Sequence, residues 1–469
     1  MKNVILSIGW SQDLIHEIIE KVEKLNKSNI KFFHLVEVRK DIKRLNLKNR
    51  NKLDLVKVPK NLEVSDDDLR FLQKLETNGV PTIRSMIIGD PYLRYIKTKE
   101  ALGYAAFIGR AILKIIKKRK PLIVLASNDK LISSIALAVA RYTNTQFVAM
   151  AFTVIPNNRT WFIERMTPNS LIPINIKEKD KITHSEVKSI LDNFYKNKFH
   201  VQSYSAPNSI KSFILDVIYF FWQKCKRSII LNENKPIKYV TLSYFQAFAN
   251  RLIRLVNRLT LISFNMIKSP PREKFAYYPI AMSPESMIDT WAIFYQDQIA
   301  LLKQIALALP LDTKLVVKLH FSDPDSYSRK QLSSLSKISG VLIADPLSNS
   351  RKFLENSSLV FGITGTSCLE ASLLGKPTII FGDTPYLKFP NSERAKKPDE
   401  LYTQIKTLMK KQSPTKKDIE HAFKKFANRY MPGRINDWTY PITRNDINNF
   451  TGCYEELVDK VLKGKTNVN

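Results

Sequence analysis

The segment from Leu359 to Asp383, LVFGITGTSCLEASLLGKPTIIFGD, constrains the fold more than any other stretch of the chain. Its first apolar run, Leu359 to Ile363, has the length and composition of a buried parallel strand. The turn Thr364-Gly365-Thr366-Ser367 leads into a short helix, predicted from Cys368 to Leu374, which Gly375 ends. A second apolar strand follows. The segment therefore predicts a strand–turn–helix–strand unit, which is typical of α/β proteins with parallel sheets.

The start of this predicted helix offers a binding site for an anion. The first residues of a helix have N–H groups without intrahelical partners, and the helix dipole places positive charge behind them. The hydroxyls of Thr364, Thr366 and Ser367 stand beside these amides, so the turn suits a phosphate. The same residues also allow an ordinary strand–helix unit in which Thr366 or Ser367 serves only as the N-cap.

Neighbouring elements extend this unit into a larger α/β fold. The strand at Tyr277 precedes a one-sided apolar helix, and the strand KLVVKLH ends at His320. Polar residues therefore follow strand ends, where ligands bind in doubly wound sheets. Residues 1 to about 150 alternate strands and helices in the same way, with Asn128-Asp129 at the C-terminal end of the strand Pro121 to Ser127. We therefore expect two Rossmann-like lobes.

Six short motifs lie between Tyr277 and Tyr386, namely Ser283-Pro284-Glu285, Tyr295-Gln296-Asp297-Gln298, Lys318-Leu319-His320-Phe321, Thr364-Gly365-Thr366, Glu370-Ala371 and Leu374-Gly375-Lys376-Pro377. In their order and spacing they resemble the C-terminal lobe of the bacterial capsule polysaccharide biosynthesis family. That family includes glycosyltransferases that transfer 3-deoxy-manno-octulosonic acid (Kdo) from CMP-Kdo. The family has Gln where this chain has Ser283, and Pro where it has Phe321.

The resemblance implies an inverting glycosyltransferase of the two-lobed GT-B type. Its donor would be CMP-Kdo or a related nucleotide-sugar, bound as substrate without a separate cofactor, and its acceptor a lipid-linked sugar or a glycan. A UDP-sugar or polyol-phosphate transferase, or a non-catalytic scaffold of the capsule machinery, stays open. The predicted donor site consists of Glu285, His320, Thr364, Gly365, Thr366, Ser367 and Glu370.

Two of these side chains, with one from the first lobe, have predicted roles in the transfer chemistry. His320 would donate a hydrogen bond to the phosphate as charge develops on it. Glu370 lies one helical turn after Thr366 and would accept the ribose hydroxyls. The first lobe would supply the catalytic base, with Asp129 as first candidate and Asp13 and Glu164 as reserves. Each of these residues also has a purely structural alternative.

No metal site is predicted. A nucleoside monophosphate leaving group carries less charge than a diphosphate, so His and amide donors suffice. Asp323-Pro324-Asp325 matches a short Asp-x-Asp pattern, but a Pro between two Asp residues is typical of a turn. Lys318 and Lys376 are expected to be surface charges.

The sequence divides into four predicted parts. These are an acceptor lobe at 1–175, a basic helical insert at 176–270, a nucleotide-sugar lobe at 271–430 and a helical tail at 431–469. In the insert, Phe213 to Trp222 is strongly apolar, and Arg251, Arg254 and Arg258 recur at helical spacing. Such a basic amphipathic helix suits an anionic membrane surface. The alternative is a helix whose apolar face packs inside the protein.

Composition supports these expectations. The 469 residues carry a net charge of +31, which favours an anionic partner such as acidic lipid or glycan, although compositional drift also explains it. No nucleic-acid-binding module is recognisable, so we expect no nucleic acid partner. The cysteines Cys225, Cys368 and Cys453 are widely spaced, and neither a signal peptide nor an apolar run of about 18 residues is apparent. We therefore expect a cytoplasmic protein, peripheral to the inner face of the membrane.

Overall fold

The computed structural model describes residues 3–8, 13–36, 53–77, 79–127, 129–167, 169–196, 244–283, 285–433 and 443–466, with positions 215, 218, 219, 222, 239, 240 and 242. Contacts divide the chain into two compact units. The first combines Met1–Val187 with Lys424–Asn469, and the second is Lys188–Phe423. Residues 431–469, expected as a tail, therefore group with the first unit.

The first unit contains a seven-stranded sheet. Its strands, numbered along the whole chain, are β1 (Asn3–Ile8), β2 (Ile30–Val36), β3 (Leu53–Leu55), β4 (Ile123–Ala126), β5 (Gln146–Phe152), β6 (Arg159–Ile163) and β13 (Met431–Pro432). The order is β13-β6-β5-β4-β1-β2-β3. Strands β1 to β5 are parallel, whereas β6 and β13 join antiparallel. The strand order reverses between β1 and β4, because β2 and β3 lie on one side of β1 and β4 to β6 lie on the other, as in doubly wound folds.

Helices of the first unit cover both sides of the chain's first sheet and include its last helix. They are α1 (Asp13–Leu25), α2 (Asp66–Leu75), α3 (Ile83–Gly89), α4 (Thr98–Arg119), α5 (Lys130–Tyr142), the start of α6 (His184–Tyr195), the end of α14 (Lys416–Ala427) and α15 (Arg444–Thr466). In α15, Phe450, Tyr454 and Leu457 are buried in one cluster with Phe32 of β2. Apolar burial thus attaches the C-terminal helix to the first sheet.

The second unit contains a six-stranded sheet that is parallel throughout. Its order is β12-β11-β10-β7-β8-β9. Strands β8 and β9 are therefore added on one side of β7 and β10 to β12 on the other, so the strand order reverses between β7 and β10. The carboxyl ends of these two strands therefore flank the crevice where ligands bind in such folds. The strands are β7 (Phe275–Pro279), β8 (Lys314–Lys318), β9 (Val341–Ala344), β10 (Leu359–Gly362), β11 (Thr378–Ile380) and β12 (Ser392–Arg394).

Alternating side chains of the second sheet enter two apolar cores. Ala276 and Tyr278 of β7 belong to one cluster, whereas Phe275 and Tyr277 belong to the other. This period of two is the one expected for a strand covered on both faces. The helices are α7 (Tyr244–Ile262), α8 (Ser286–Asp289), α9 (Gln298–Ala308), α10 (Arg329–Ser336), α11 (Ser350–Asn356), α12 (Thr366–Leu373) and α13 (Leu401–Lys410).

The predicted fold class is confirmed, since both units are α/β with mostly parallel sheets and alternating helices. In the basic insert, α7 is a helix as expected. The predicted apolar stretch Phe213 to Trp222 lies outside the described residues, apart from four exposed side chains at Leu215, Ile218, Tyr219 and Trp222. Cys225 also lies outside them. Among the described helices, none is long and apolar enough to cross a membrane.

Candidate functional site

The turn after β10 leaves the start of α12 open. The helix begins at Thr366, two residues before the predicted start, and its N-cap is Gly365, with φ −64° and no side-chain cap. The amides of Thr366 and Ser367 lie in the first turn, where a helix has no internal acceptor for them. By contrast, the side chains of Asp297, Ser328 and Asn349 cap α9, α10 and α11. The start of α12 can therefore bind an anion.

Thr364, which was predicted to bind phosphate, has a structural contact. Its side chain is buried, and Oγ1 donates to the carbonyl oxygen of Met287 in α8 at 3.2 Å. This bond joins the turn after β10 to the helix after β7. The hydroxyl proton of Thr364 is thus used inside the protein, whereas Thr366 and Ser367 are half-buried beside the open amides.

Two glycines allow this turn to pack closely. A Cβ added to Gly382 would lie 2.4 Å from Cγ2 of Thr364, and one added to Gly362 would lie 2.4 Å from Sγ of Cys368. Both distances are far shorter than ordinary van der Waals contact. The ends of β10 and β11 therefore approach the turn and α12 at a separation that a larger residue would prevent.

Glu285 follows β7 on the other side of the crevice. Its amide donates to Oδ2 of Asp289 at 3.0 Å, and the nearby amide of Ser283 donates to Oδ2 of Asp323 at 3.3 Å. Burial raises the pKa of Glu285 to about 7, and the charges of Asp289 and Asp323 add to this effect. Near neutral pH its carboxyl group can therefore exist in either protonation state. Pro284 lies outside the described residues.

The residues at Tyr295-Gln296-Asp297-Gln298 support the loop after β7. Gln298 is 1% exposed, and its Oε1 accepts from the amide of Ala281 at 3.0 Å and from the hydroxyl of Tyr278 at 3.2 Å. Its Nε2 donates back to the carbonyl oxygen of Ala281 at 2.9 Å. This motif therefore holds the loop that leads to Glu285, a role that sequence reasoning did not assign.

His320 follows β8, the strand next to β7. Its Nδ1 accepts a hydrogen bond from the amide of Ser322 at 3.3 Å, so in the neutral ring the proton lies on Nε2. Burial, together with the positive charge of Lys318, lowers the pKa of His320. At neutral pH the ring is thus a neutral Nε2–H donor at the carboxyl edge of the sheet.

The expectation that Lys318 and Lys376 are surface charges is wrong for Lys318 and incomplete for Lys376. Lys318 is 3% exposed, and its Nζ donates to the carbonyl oxygen of Pro346 at 2.7 Å. Burial lowers its pKa to about 8. The half-buried Lys376 donates to the carbonyl oxygen of Ser357 at 3.1 Å. Both amines can be buried because a backbone carbonyl receives them.

Glu370 lies on α12, in the helix turn after Thr366. Burial raises its pKa to about 7, while the positive charge of Arg351 acts in the opposite direction. A carboxyl group in this position can accept hydrogen bonds from hydroxyls of a ligand seated at the start of the helix. The geometry therefore agrees with the predicted contact to ribose, which stays a prediction.

The Asp323-Pro324-Asp325 segment forms a 3-10 turn with both carboxylates buried. Arg254 of α7 pairs with Asp323 and lies 3.8 Å from a carboxylate oxygen of Asp325. Nδ2 of Asn257 donates to the carbonyl oxygen of Asp325 at 2.9 Å. The two carboxylates thus attach α7 to the second sheet. In the described part of the chain, no group of three or more His, Cys, Asp or Glu side chains could hold a metal ion.

Asp129, the predicted base, belongs to the first unit, whereas the other predicted site residues belong to the second. It occupies the N-cap of α5, but its Oδ1 accepts from the hydroxyl of Ser127 at 2.7 Å instead of capping the helix. Asp90 supplies an anion there, because its Oδ2 accepts from the amide of Leu131 at 2.9 Å. The first amides of α5 are therefore partly satisfied by a carboxylate of the protein itself.

Sequence reasoning missed Asp90, whose carboxylate also accepts from the amides of Tyr92 and Leu93. Its burial raises its pKa, and the three amides act in the opposite direction. The Asp-Pro turn was the only local signal. Of the reserve candidates, the side chain of Asp13 is outside the described residues, and Glu164 is half-buried.

Comparisons with known proteins identify no family. No family model matches the chain, and no curated protein matches it. A Kdo 2,7-transferase from Thermosulfurimonas dismutans is similar in structure, with 10% identity, coverage of 95% of this chain and 98% of that chain, and a TM-score of 0.36. The UDP-GlcNAc 2-epimerase of Methanocaldococcus jannaschii with UDP-GlcNAc and UDP bound has 12% identity, coverage of 90% and 98%, and a TM-score of 0.29.

A Kdo 2,4-transferase from Thermosulfurimonas dismutans has 13% identity, coverage of 71% of this chain and 87% of that chain, and a TM-score of 0.32. With TM-scores below 0.5, these likenesses carry no argument about function. The fold assignment rests on the order and direction of the strands in the two sheets.

Proposed function

We propose that this chain is a glycosyltransferase of surface polysaccharide assembly whose second unit binds a nucleotide-sugar donor. One observation carries the proposal. The start of α12 has no side-chain cap, and it follows β10 at the point between β7 and β10 where the strand order reverses. Nucleotides bind at this point in doubly wound sheets, with phosphate at the helix start.

The side chains around this helix start suit the departure of a nucleotide. When the bond from the anomeric carbon to the phosphate oxygen breaks, its electron pair stays on that oxygen. The amides of Thr366 and Ser367 and the Nε2–H of His320 are donors for that charge. We assign Glu370 to the ribose hydroxyls and Glu285 to orientation of the donor.

The acceptor hydroxyl supplies the new bond to the anomeric carbon and loses its proton to a base. Asp129 of the first unit is our candidate for that base, through its Oδ2, because Oδ1 already accepts from Ser127. A single displacement of this kind inverts the anomeric centre. NMR of the product would test this point, since a retained configuration would require a different mechanism.

The motif resemblance supports CMP-Kdo as the donor and a lipid-linked or glycan acceptor. A lipid-linked acceptor places the reaction at the inner face of the cytoplasmic membrane. The proposed reaction is metal-independent, because the monophosphate leaving group can be stabilised by amides and His320. CMP release from CMP-Kdo, unchanged by a chelator, is the expected result in a turnover assay.

Thermal unfolding with CMP, UDP, CDP or ADP tests the donor site. A ligand at about 100 times its dissociation constant stabilises a protein by about 2.7 kcal/mol. We expect CMP to raise the Tm of the wild type, and His320→Ala to lose most of that shift. His421→Ala is the matched control, since His421 is an exposed residue of α14 in the same unit.

Each other pattern of shifts identifies one of the alternatives. A shift with UDP but not with CMP would favour a UDP-sugar transferase, and a shift with CDP alone a polyol-phosphate transferase. If no nucleotide shifts the wild type, the donor-site proposal fails and the scaffold alternative is favoured. Loss of the shift in both His variants would mean that His320 has no specific role.

A further inference from the structure

The alternative that the apolar face of α7 packs inside the protein is wrong, because the residues of that face are exposed. The side bearing Arg254 and Asn257 faces the protein, where these residues bind Asp323 and Asp325. Asn257 is 8% exposed. The charge of Arg254 is therefore used inside the unit, where it pairs with buried carboxylates.

The outward side of α7 is apolar. Phe245 is 80% exposed and Val256 is 58% exposed, and Leu252, Ile253 and Leu259 are also exposed. Phe245, Leu252, Val256 and Leu259 are separated by seven, four and three residues, so they share one helix face. Single exposed apolar residues are normal, but a continuous stripe of them marks a surface that a partner covers.

This face lies at the edge of the second sheet that carries the candidate donor site. The inward side of α7 packs on the turn Pro324–Ser326, which follows β8 by a few residues. His320 lies between that strand and the turn. The apolar face is therefore carried by the element that borders the carboxyl end of β8.

We infer that the outward face of α7 docks on the surface of an anionic lipid bilayer. Residues 197–270, which include α7, contain ten Lys or Arg besides Arg254 and only two Asp or Glu. Apolar side chains enter the interfacial region of a bilayer while nearby basic residues are attracted to acidic headgroups. The net charge of +31 favours such a surface over a second copy of the same chain, which it repels.

The inference deepens the proposed function, because a bilayer would present a lipid-linked acceptor beside the donor site. Docking itself requires neither donor nor turnover, so it can be tested separately. If vesicles bind and nucleotides do not, the surface proposal stands and the proposed function fails. The opposite result would leave the donor site in place and remove the docking surface.

The test is flotation of the full-length protein with vesicles of phosphatidylcholine alone or with added phosphatidylglycerol. We expect the wild type to float with the anionic vesicles and not with the neutral ones. The double variant Leu252→Glu with Val256→Glu should need at least about tenfold more anionic lipid for half-binding. The matched control, Leu307→Glu with Leu311→Glu, makes the same change at two exposed positions before β8 and should bind like the wild type.

Three results would overturn the inference. The first is a wild type that does not float with anionic vesicles at low salt. The second is unchanged binding of the α7 double variant, which would assign the attraction to other basic residues. The third is a dimer in sedimentation that the α7 variant converts to monomers without any vesicle binding, which would make a second copy the partner. Circular dichroism of each variant confirms that it is folded.

Discussion

Replacing Glu285 by Gln should stabilise the protein at alkaline pH and weaken its activity. The folded carboxyl keeps its proton up to about pH 7, whereas its ordinary pKa is 4.5. Between these values the folded chain binds more protons than the unfolded chain, so the wild type loses stability as pH rises. Above about pH 7 the carboxyl is ionised in both states, so the stability lost by ionising it in the folded chain no longer changes with pH. Because Gln cannot ionise, the Glu285→Gln variant does not lose this stability as the pH rises.

The size of this effect follows from the pKa. A rise from 4.5 to about 7 is worth at most about 3–4 kcal/mol, because each pKa unit corresponds to about 1.36 kcal/mol. The side chain is half-buried, so water screens part of the penalty. We therefore expect Glu285→Gln to be more stable than the wild type by about 1–3 kcal/mol at pH 8 and by less than about 1 kcal/mol at pH 5.

Urea unfolding of both proteins at pH 5 and pH 8 measures this difference directly. Glu400→Gln makes the same chemical change at an exposed position and reports the effect of the substitution alone. Equal stability differences at the two pH values would contradict the argument, and so would a variant that is destabilised at pH 8. If Glu285 orients the donor, turnover should fall even though the variant is the more stable protein.

Two further substitutions test the packing that positions the site. Gly382→Ala should lower the free energy of unfolding by about 1–3 kcal/mol, because the new Cβ would lie 2.4 Å from Thr364. Gly365→Ala, with nothing within 4 Å of the new Cβ, should cost at most about 1 kcal/mol in the same urea titration, which is the cost of Ala at an N-cap. Asp323→Asn and Arg254→Met should each destabilise the chain, and a double-mutant cycle should give a coupling energy above about 1 kcal/mol. Additive effects would show that the pair contributes no specific stability.

Local pattern was sufficient to predict the central elements of the second unit. The strand β10, the helix after it and the strand β11 follow from short apolar runs separated by Gly and Pro. Only the start of α12 was misplaced, because Thr366 and Ser367 are weak helix formers and a Gly occupies the N-cap. The grouping of Glu285, His320 and the turn at one sheet edge also follows from strand order, since parallel strands end at the same edge.

Contacts between distant residues were not predictable from any local pattern. Gln298 supports the loop at Ala281, Asp90 binds the start of α5, and Lys318 is buried against a carbonyl oxygen. Gln, Asp and Lys are residue types that are usually exposed, so the sequence alone gives no reason to expect these three to be buried. The partner of each is supplied by a segment that only folding brings near, so the sequence contains no nearby signal for it.

The sequence by itself determined that the segment at 244–262 is an amphipathic helix, because its apolar and basic residues recur with helical period. Which side faces the protein was decided only by the tertiary structure. Asp323 and Asp325 are buried after β8 and need positive charge and hydrogen-bond donors, which Arg254 and Asn257 supply. Because an unpaired buried carboxylate costs more than an exposed apolar stripe, the polar side turned inward and the apolar side outward.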